Sequence, residues 1–96
     1  SKNYIKILGY RVNLNRIEKI FKKRLSLNTR AIANNNGIFI FLENAKKIKN
    51  IIKKAKKISE KNLESYERPK KIFQLATFPL GSTGKVNNLA LRHYID

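Results

Sequence analysis

The sequence has no cysteine, one histidine and six acidic residues among 96 positions. Without cysteine, a disulfide framework and any thiolate metal site are excluded. The six carboxylates are scattered along the chain, and His93 has no cluster of Asp, Glu or Cys around it. The sequence therefore predicts no metal site, and we interpret His93 as a surface or packing residue.

Long apolar runs are also absent. No stretch approaches the roughly 20 apolar residues that a helix needs to cross a bilayer, and the first residues lack the apolar core of a signal peptide. A chain of 96 residues makes one domain with one modest core, because it buries only about 60–65% of the surface that its unfolded form exposes. We therefore expect a soluble, cytoplasmic protein with no membrane partner.

Positive charge, in contrast, is abundant: 22 Lys and Arg residues against six acidic residues give a net charge of +16. Such a charge attracts phosphate, so a stand-alone basic nucleic-acid-binding α+β domain is one hypothesis. Composition offers another explanation, since Lys, Ile and Asn supply 41 of the 96 residues, a mixture that an AT-rich genome favours. The densest basic block, residues 44–61, has no aromatic residue. We favour a solvated basic surface, with nucleic acid and an acidic protein partner as alternatives.

Hydrophobic patterning predicts the elements of the first half of the chain. Residues 4–14 alternate weakly around Gly9, which indicates two short strands joined by a turn or bulge. Residues 15–25 carry apolar side chains on one helical face, and Asn15 with Glu18 has the pattern of a capping box. Residues 29–33 are a strand candidate, and the polar stretch 34–37 is typical of a hairpin turn. The next strand, 38–43, is apolar on both faces and is therefore expected to be central.

The second half begins with a helical period from Asn44, where an apolar stripe is surrounded by lysines. The stripe, which we assign to the core, consists of Ile48, Ile51, Ile52, Ala55 and Ile58. Pro69 ends this region, residues 70–78 form a strand, and a loop leads to a last helix capped by Asn87 or Asn88. The fold class is therefore α+β: a short N-terminal two-stranded hairpin and a three-stranded, mainly antiparallel sheet, flanked by helices.

The loop at residues 79–85 first has to be tested as a phosphate-binding P-loop. That motif needs a glycine five residues before the Gly-Lys pair and a Ser or Thr after the lysine. Pro79 and Val86 occupy those positions, and we expect no parallel βαβ unit around the loop, so the P-loop interpretation is rejected. Gly81 and Gly84 permit unusual backbone angles, while Ser82 and Thr83 offer hydroxyl and amide donors.

The same loop would project Lys85. Its ammonium is a compact point charge with three donors, suited to an oxygen whose negative charge grows in a transition state. From the residues alone, however, an exposed lysine on a turn is the more ordinary interpretation.

A family resemblance changes that interpretation. Residues 78–92, FPLGSTGKVNNLALR, resemble the closing motif of the adenylate-forming superfamily, which includes acyl-CoA synthetases, peptide-synthetase adenylation domains and luciferases. Residues 4–18, YIKILGYRVNLNRIE, resemble the segment that begins the C-terminal domain of this family. Residues 66–73, YERPKKIF, add a weaker match to the run before the last strand of that domain. The matches follow the family's order and span the chain, so residues 1–96 are interpreted as a C-terminal mobile domain that lacks its N-terminal ATP-binding domain.

The resemblance implies an ATP-dependent acid-activating ligase. Such an enzyme makes an acyl-adenylate and then passes the acyl group to a thiol of CoA or of a phosphopantetheine arm. It implies that Lys85 is the catalytic residue of the adenylation step, beside a nucleotide loop of Ser82, Thr83 and Gly84. ATP and Mg²⁺ would be bound mainly by the N-terminal domain, an acidic acyl or peptidyl carrier protein is a further partner, and the isolated domain is expected to be inactive.

The resemblance also implies a second functional face. The small domain would swing about a hinge, placed by register at Lys2, and present the opposite face for the thiol step. Gly9, Tyr10 and Arg11 would line the thiol channel on that face, with Gly9 allowing the backbone to approach the pantetheine arm closely. Asn15 and Arg16 depart from the common Gly-Glu of the family pattern at this point.

Overall fold

The computed structural model describes residues 3–95, and the predicted order of elements is confirmed. Strands β1 (Tyr4–Ile7) and β2 (Tyr10–Asn13) precede helix α1 (Leu14–Leu25), and β3 (Thr29–Asn34) and β4 (Gly37–Glu43) precede α2 (Ile51–Asn62). A 3₁₀ turn (Ser65–Glu67), β5 (Lys71–Leu75) and α3 (Asn88–Arg92) follow. The α+β class is thus confirmed. None of the helices in residues 3–95 is both long and apolar enough to span a bilayer.

The strands form two separate sheets. β1 and β2 make an antiparallel hairpin, and the second sheet has the order β3-β4-β5, so the central position predicted for β4 is confirmed. β3 pairs antiparallel with β4, whereas β5 pairs parallel with β4, with α2 as the crossover. Antiparallel pairing therefore dominates, as expected. The parallel β4-α2-β5 unit was not expected, because the sequence predicted no parallel βαβ unit around the loop. The loop that carries Lys85 follows this unit.

Both faces of β4 are covered, because successive side chains of a strand point to opposite sides. On one side Ile38, Ile40 and Leu42 meet α1, α2 and the hairpin; we call this the helix-side core. On the other side Phe39 and Phe41 meet the segment after β5; we call this the loop-side core. Its buried members are Ile32, Phe39, Phe41, Phe78 and Leu91.

The capping box predicted for α1 is wrong. The helix begins at Leu14, because the side chain of Asn13 accepts a hydrogen bond from the N–H of Arg16 at 3.1 Å. Glu18 instead reaches across to β3, where its carboxylate accepts the N–H of Ala31 at 2.7 Å. Local spacing suggested a cap at Asn15, but Glu18 is used in a tertiary contact.

Helix α2 begins at Ile51 rather than near Asn44, because the buried Asn44 side chain holds a turn before it. Its Oδ1 accepts the N–H of Ile48 at 2.9 Å, and its Nδ2 donates to the Ile48 carbonyl at 3.1 Å and to Gln74 Oε1 at 3.0 Å. Ile48 is consequently outside the helix and 38% exposed, contrary to the predicted stripe. Ile51 and Ala55 are buried and Ile58 packs against the helix-side core, as expected, whereas Ile52 is half-buried and belongs to neither core.

Candidate functional site

The lysine loop, residues 79–87, is a small closed structure. The N–H of Asn87 donates to the carbonyl of Pro79 at 2.8 Å, and Leu80 bridges Val86 in antiparallel fashion. Further toward the tip, the N–H of Gly81 donates to the carbonyl of Lys85 at 2.7 Å. The backbone of Lys85 is therefore fixed on the returning side of a hairpin-like loop.

The tip of this loop carries several hydrogen-bond donors. Within residues 3–95, no acceptor takes the N–H or hydroxyl hydrogens of Ser82 and Thr83, and the Lys85 ammonium has no ion-pair partner. All three residues are exposed. A lysine with adjacent amide and hydroxyl donors suits an anionic oxygen, so the donor set fits the phosphate or carboxylate that the resemblance implies.

The two glycines of the loop, which permit unusual backbone angles, differ in conformation. Gly84 has a φ of +83°, a conformation that L side chains rarely adopt, and it closes the tip by donating its N–H to the Gly81 carbonyl at 3.0 Å. Gly81 does not have a positive φ, and an added Cβ there would lie 3.7 Å from the Lys85 carbonyl oxygen, an ordinary contact. Gly84 therefore uses the conformational freedom of glycine, and Gly81 does not take a positive φ.

The exit of the loop is anchored by α3. Of the two predicted caps, Asn87 is the N-cap, and its side chain accepts the N–H of Ala90 at 3.2 Å. Leu91 is fully buried in the loop-side core, and Arg92 donates from Nη1 to the Ala33 carbonyl at 3.0 Å. Val86 packs against the same core. The returning side of the loop is thus tied to the sheet.

The entry of the loop is anchored by a carboxylate that the sequence pattern did not single out. Glu43 accepts the N–H of Phe78 at 2.6 Å and the hydroxyl of Thr77 at 3.3 Å. It also accepts from Asn28 Nδ2 at 2.9 Å. The Phe78 N–H, followed by the Asn28 amide, lowers the pKa of Glu43 below its ordinary value.

The other candidate segment is the β1-β2 hairpin. Its two-residue turn is formed by Leu8 and Gly9, both with positive φ (51° and 83°), the geometry of a type I′ turn. Val12 is buried and Ile5 and Ile7 are half-buried against the helix-side core. Leu8, at the tip, is 85% exposed. The predicted turn at Gly9 is confirmed.

Tyr10 and Arg11 are held by aromatic contacts. The Tyr10 ring stacks on Tyr66 with centroids 4.1 Å apart and an interplanar angle of 11°. The Arg11 guanidinium lies over the Tyr4 ring at 4.0 Å from its centroid. Tyr66 belongs to the 3₁₀ turn, whose Glu67 forms an ion pair with Arg16 of α1. The turn thereby links the hairpin to the start of α1.

The sheet separates the two predicted sets of residues. The hairpin with Gly9, Tyr10 and Arg11 packs on the helix-side core, whereas the loop with Lys85 is anchored in the loop-side core across β4. Lys2, assigned to a hinge, lies outside the described residues. Among residues 3–95, no three His, Asp or Glu side chains come together to hold a metal ion.

Adenylate-forming enzymes of known structure share this fold. The chain matches MatB from Rhodopseudomonas palustris over 98% of its length, with a TM-score of 0.79 and 18% identity. It matches the amide bond synthetase McbA from Marinactinospora thermotolerans over 97%, with a TM-score of 0.76 and 12% identity. It matches an acyl-CoA synthetase (AMP-forming)/AMP-acid ligase II-like protein from Dyadobacter fermentans over 99%, with a TM-score of 0.73 and 18% identity.

The chain spans 20% of the first two matched structures and 30% of the third. At these identities the likeness establishes the fold. No protein-family model and no curated protein sequence matches the chain. The fold thus agrees with the resemblance of the sequence to a C-terminal domain of adenylate-forming enzymes.

Proposed function

We propose that residues 1–96 are the C-terminal domain of an ATP-dependent acid-activating ligase. Its reaction has two steps: a carboxylate attacks the α-phosphorus of ATP and releases pyrophosphate, and a thiol then displaces AMP from the acyl-adenylate. Two motifs in family order support this proposal, as does a fold that covers about a fifth of several adenylate-forming enzymes. The isolated domain is inactive in this proposal, since ATP and Mg²⁺ are bound mainly by an N-terminal domain.

Lys85 serves the adenylation step. The observation that carries this role is the loop itself, which fixes the Lys85 backbone and leaves its ammonium exposed. The neighbouring donors of Ser82 and Thr83 have no acceptor within residues 3–95. A positive charge brought next to the reacting oxygens stabilises the negative charge that accumulates on them. Gly84 supplies the turn that returns the chain to Lys85.

The hairpin serves the thiol step. An added Cβ at Gly9 would meet no atom within 4 Å, so the space beside it is open from the domain's own side. A narrow pantetheine arm can approach the backbone there, with Tyr10 and Arg11 lining the channel. The domain reaches this second arrangement by turning about a hinge at Lys2, since the hairpin and the lysine loop pack on opposite sides of β4.

The thiol belongs to CoA or to a carrier protein. An acidic carrier would find a complementary surface on eight exposed lysines on and before α2: Lys46, Lys47, Lys49, Lys53, Lys54, Lys56, Lys57 and Lys61. Changing Lys53, Lys54, Lys56 and Lys57 to Glu should then weaken carrier loading and leave adenylation intact. Unchanged loading by that variant would argue against a carrier docked on α2.

The test of the function is Lys85→Ala in the full-length enzyme, with Lys23→Ala, at an exposed lysine of α1, as the matched control. Pyrophosphate exchange should fall about 100-fold or more, since removing one preformed donor of this kind lowers kcat by about 10²–10³. Thioester formation from supplied acyl-adenylate should stay near the wild-type rate. An unchanged exchange rate, or a loss confined to the thioester step, would contradict the role of Lys85.

The alternative is a stand-alone nucleic-acid-binding domain that depends on the net charge of +16. It predicts micromolar binding to duplex or single-stranded probes, with an affinity that falls steeply as salt increases. No aromatic side chain accompanies the lysines of α2, so stacking would contribute nothing on that surface. Absence of such binding at physiological salt would remove this alternative.

A further inference from the structure

We propose that Glu43 is a positioning residue for adenylation, which acts through the lysine loop and holds Lys85 in place for the first step. This inference rests on the proposed function. Glu43 touches neither Lys85 nor the loop tip. It binds the two residues through which the chain enters the loop.

The contacts of Glu43 join three parts of the fold. It is the last residue of β4, and its N–H donates to the Asn28 carbonyl at 2.9 Å. One carboxylate oxygen, Oε1, accepts from Asn28 Nδ2 at 2.9 Å. The other, Oε2, accepts the Phe78 N–H at 2.6 Å and the Thr77 hydroxyl at 3.3 Å. One side chain thus connects the start of β3, the end of β4 and the entry of the loop.

The loop has few other supports on its entry side. The Phe78 ring is 5% exposed and fixes the depth of the segment in the loop-side core. A ring in an apolar core resists withdrawal, but it does not set the direction of the backbone as hydrogen bonds do. The Phe78 N–H donates to Glu43, and the next residue is Pro79, which has no N–H. Glu43 therefore supplies the directional contact at this point.

A change at the entry reaches Lys85 through the backbone. The Pro79 carbonyl accepts from Asn87, and the Gly81 N–H donates to the Lys85 carbonyl at 2.7 Å. A shift of the entering strand therefore shifts its partner, which carries Lys85. Misplacement of a catalytic group by about 1 Å lowers rates by as much as about 100-fold.

The experiment compares Glu43→Ala, Glu43→Gln and Glu60→Ala in the full-length enzyme. Glu60 is an exposed glutamate on α2 and serves as the control. Glu43→Ala should lower kcat for pyrophosphate exchange about 10- to 100-fold with little change in KM, and thioester formation from supplied acyl-adenylate should stay within about twofold. Glu43→Gln should recover most of the exchange rate, because its amide oxygen can still accept the Phe78 N–H.

Two results would overturn the role of Glu43: exchange within about twofold of wild type in Glu43→Ala, or an equal loss in both half-reactions, which indicates a general structural role. If Glu43→Ala does not fold, the positioning role of Glu43 is tested with Glu43→Gln and Asn28→Ala. Asn28→Ala removes one contact of the carboxylate, and it should lower exchange more than the thioester step. Equal effects on both steps would again exclude positioning.

Lys85→Ala is measured in parallel, so that the two proposals fail separately. An unimpaired Lys85→Ala refutes the proposed function. An impaired Lys85→Ala beside an unimpaired Glu43→Ala refutes the role of Glu43 alone.

Discussion

The hairpin tip and the lysine-loop tip contain the same glycine conformation in two differently supported segments. Gly9 and Gly84 both have a φ of +83°, and an added Cβ would meet no atom within 4 Å at either position. The hairpin is held by side-chain packing, with Val12 buried and Tyr10 stacked on Tyr66. The lysine loop is held by hydrogen bonds at its entry and exit and by two side chains buried in the loop-side core, Phe78 and Leu91.

At both tips, glycine is required by the backbone conformation and not by a lack of room for a side chain. Neither glycine is needed to avoid a clash within the domain, since both positions are open. The positive φ is the local reason for glycine, and it carries a modest strain for any other residue. An effect of a larger side chain on only one reaction step therefore comes from backbone strain that displaces a neighbouring functional group, or from a molecule that approaches that tip from outside.

The largest expected effect is on the anchor of the lysine loop. Leu91→Ala should lower the free energy of unfolding by about 2–5 kcal/mol, because it opens a cavity at a fully buried position of the loop-side core. Leu89→Ala on the same helix, at a position that is 72% exposed, should stay within about 0.5 kcal/mol. Denaturant titration of both variants measures the difference, and equal stabilities would show that α3 does not anchor the loop.

The next effect tests the two glycines directly. Gly9→Ala and Gly84→Ala should each lower the free energy of unfolding by about 1–2 kcal/mol, since each puts a Cβ on a left-handed residue. Gly81→Ala, without a positive φ, should change it by less than about 0.5 kcal/mol. In the full-length enzyme, Gly84→Ala should slow pyrophosphate exchange and Gly9→Ala the thioester step. The same step slowed by both would contradict the separation of the two segments.

A smaller effect concerns the support of the hairpin. Tyr66→Ala removes the ring that stacks on Tyr10 and should lower the free energy of unfolding by about 0.5–1.5 kcal/mol beyond the loss of buried area. Tyr66→Phe keeps the ring and serves as the control. Thioester formation should fall in Tyr66→Ala and recover in Tyr66→Phe, with pyrophosphate exchange unchanged. A loss in exchange as large as the loss in thioester formation would show that the stack supports the whole domain.

The smallest expected effect is a pH dependence of the free energy of unfolding, to which the carboxyl groups of Glu43 and Glu18 contribute with opposite signs. The pKa of Glu43 is lowered by the Phe78 N–H, so its stabilisation is present above the ordinary value of 4.5 and lost as the pH falls below it. The pKa of Glu18 is raised by burial, so its charged form costs stability as the pH rises above 4.5. Denaturation curves between pH 3 and 7 should show a shallower acid loss for Glu43→Gln and a relative gain at higher pH for Glu18→Gln. Parallel curves for both variants and wild type would contradict these signs.

The features that sequence could predict are those set by periodicity and by single turn residues. The alternation from Ile38 to Leu42 predicted a strand covered on both sides, and the two cores confirm it. Gly9 marked the hairpin turn, and the Asn87-Asn88 pair marked the start of the last helix, because these residues act on their own neighbours. Such signals are local, so one sequence contains them in full.

The features that sequence could not predict depend on contacts between distant residues. Asn44 delays α2 because its amide also reaches Gln74, 30 positions away. Glu43 contacts Phe78, 35 positions away, and no local pattern marks it as a support of the lysine loop. The parallel pairing of β5 was missed for the same reason, since the direction of a strand depends on the path of the crossover.

Strand β4 has a consequence for motion. The hairpin packs on one face of this strand and the lysine loop on the other, so both are attached to the same central strand. Neither segment has to change its conformation for the other to be used. A rigid-body rotation of the whole domain would therefore present first one segment and then the other to an N-terminal domain, while all contacts within the rotating domain persist. The free-energy barrier to this rotation would then come from the hinge and from the interdomain interface that has to be broken, and not from contacts within the domain.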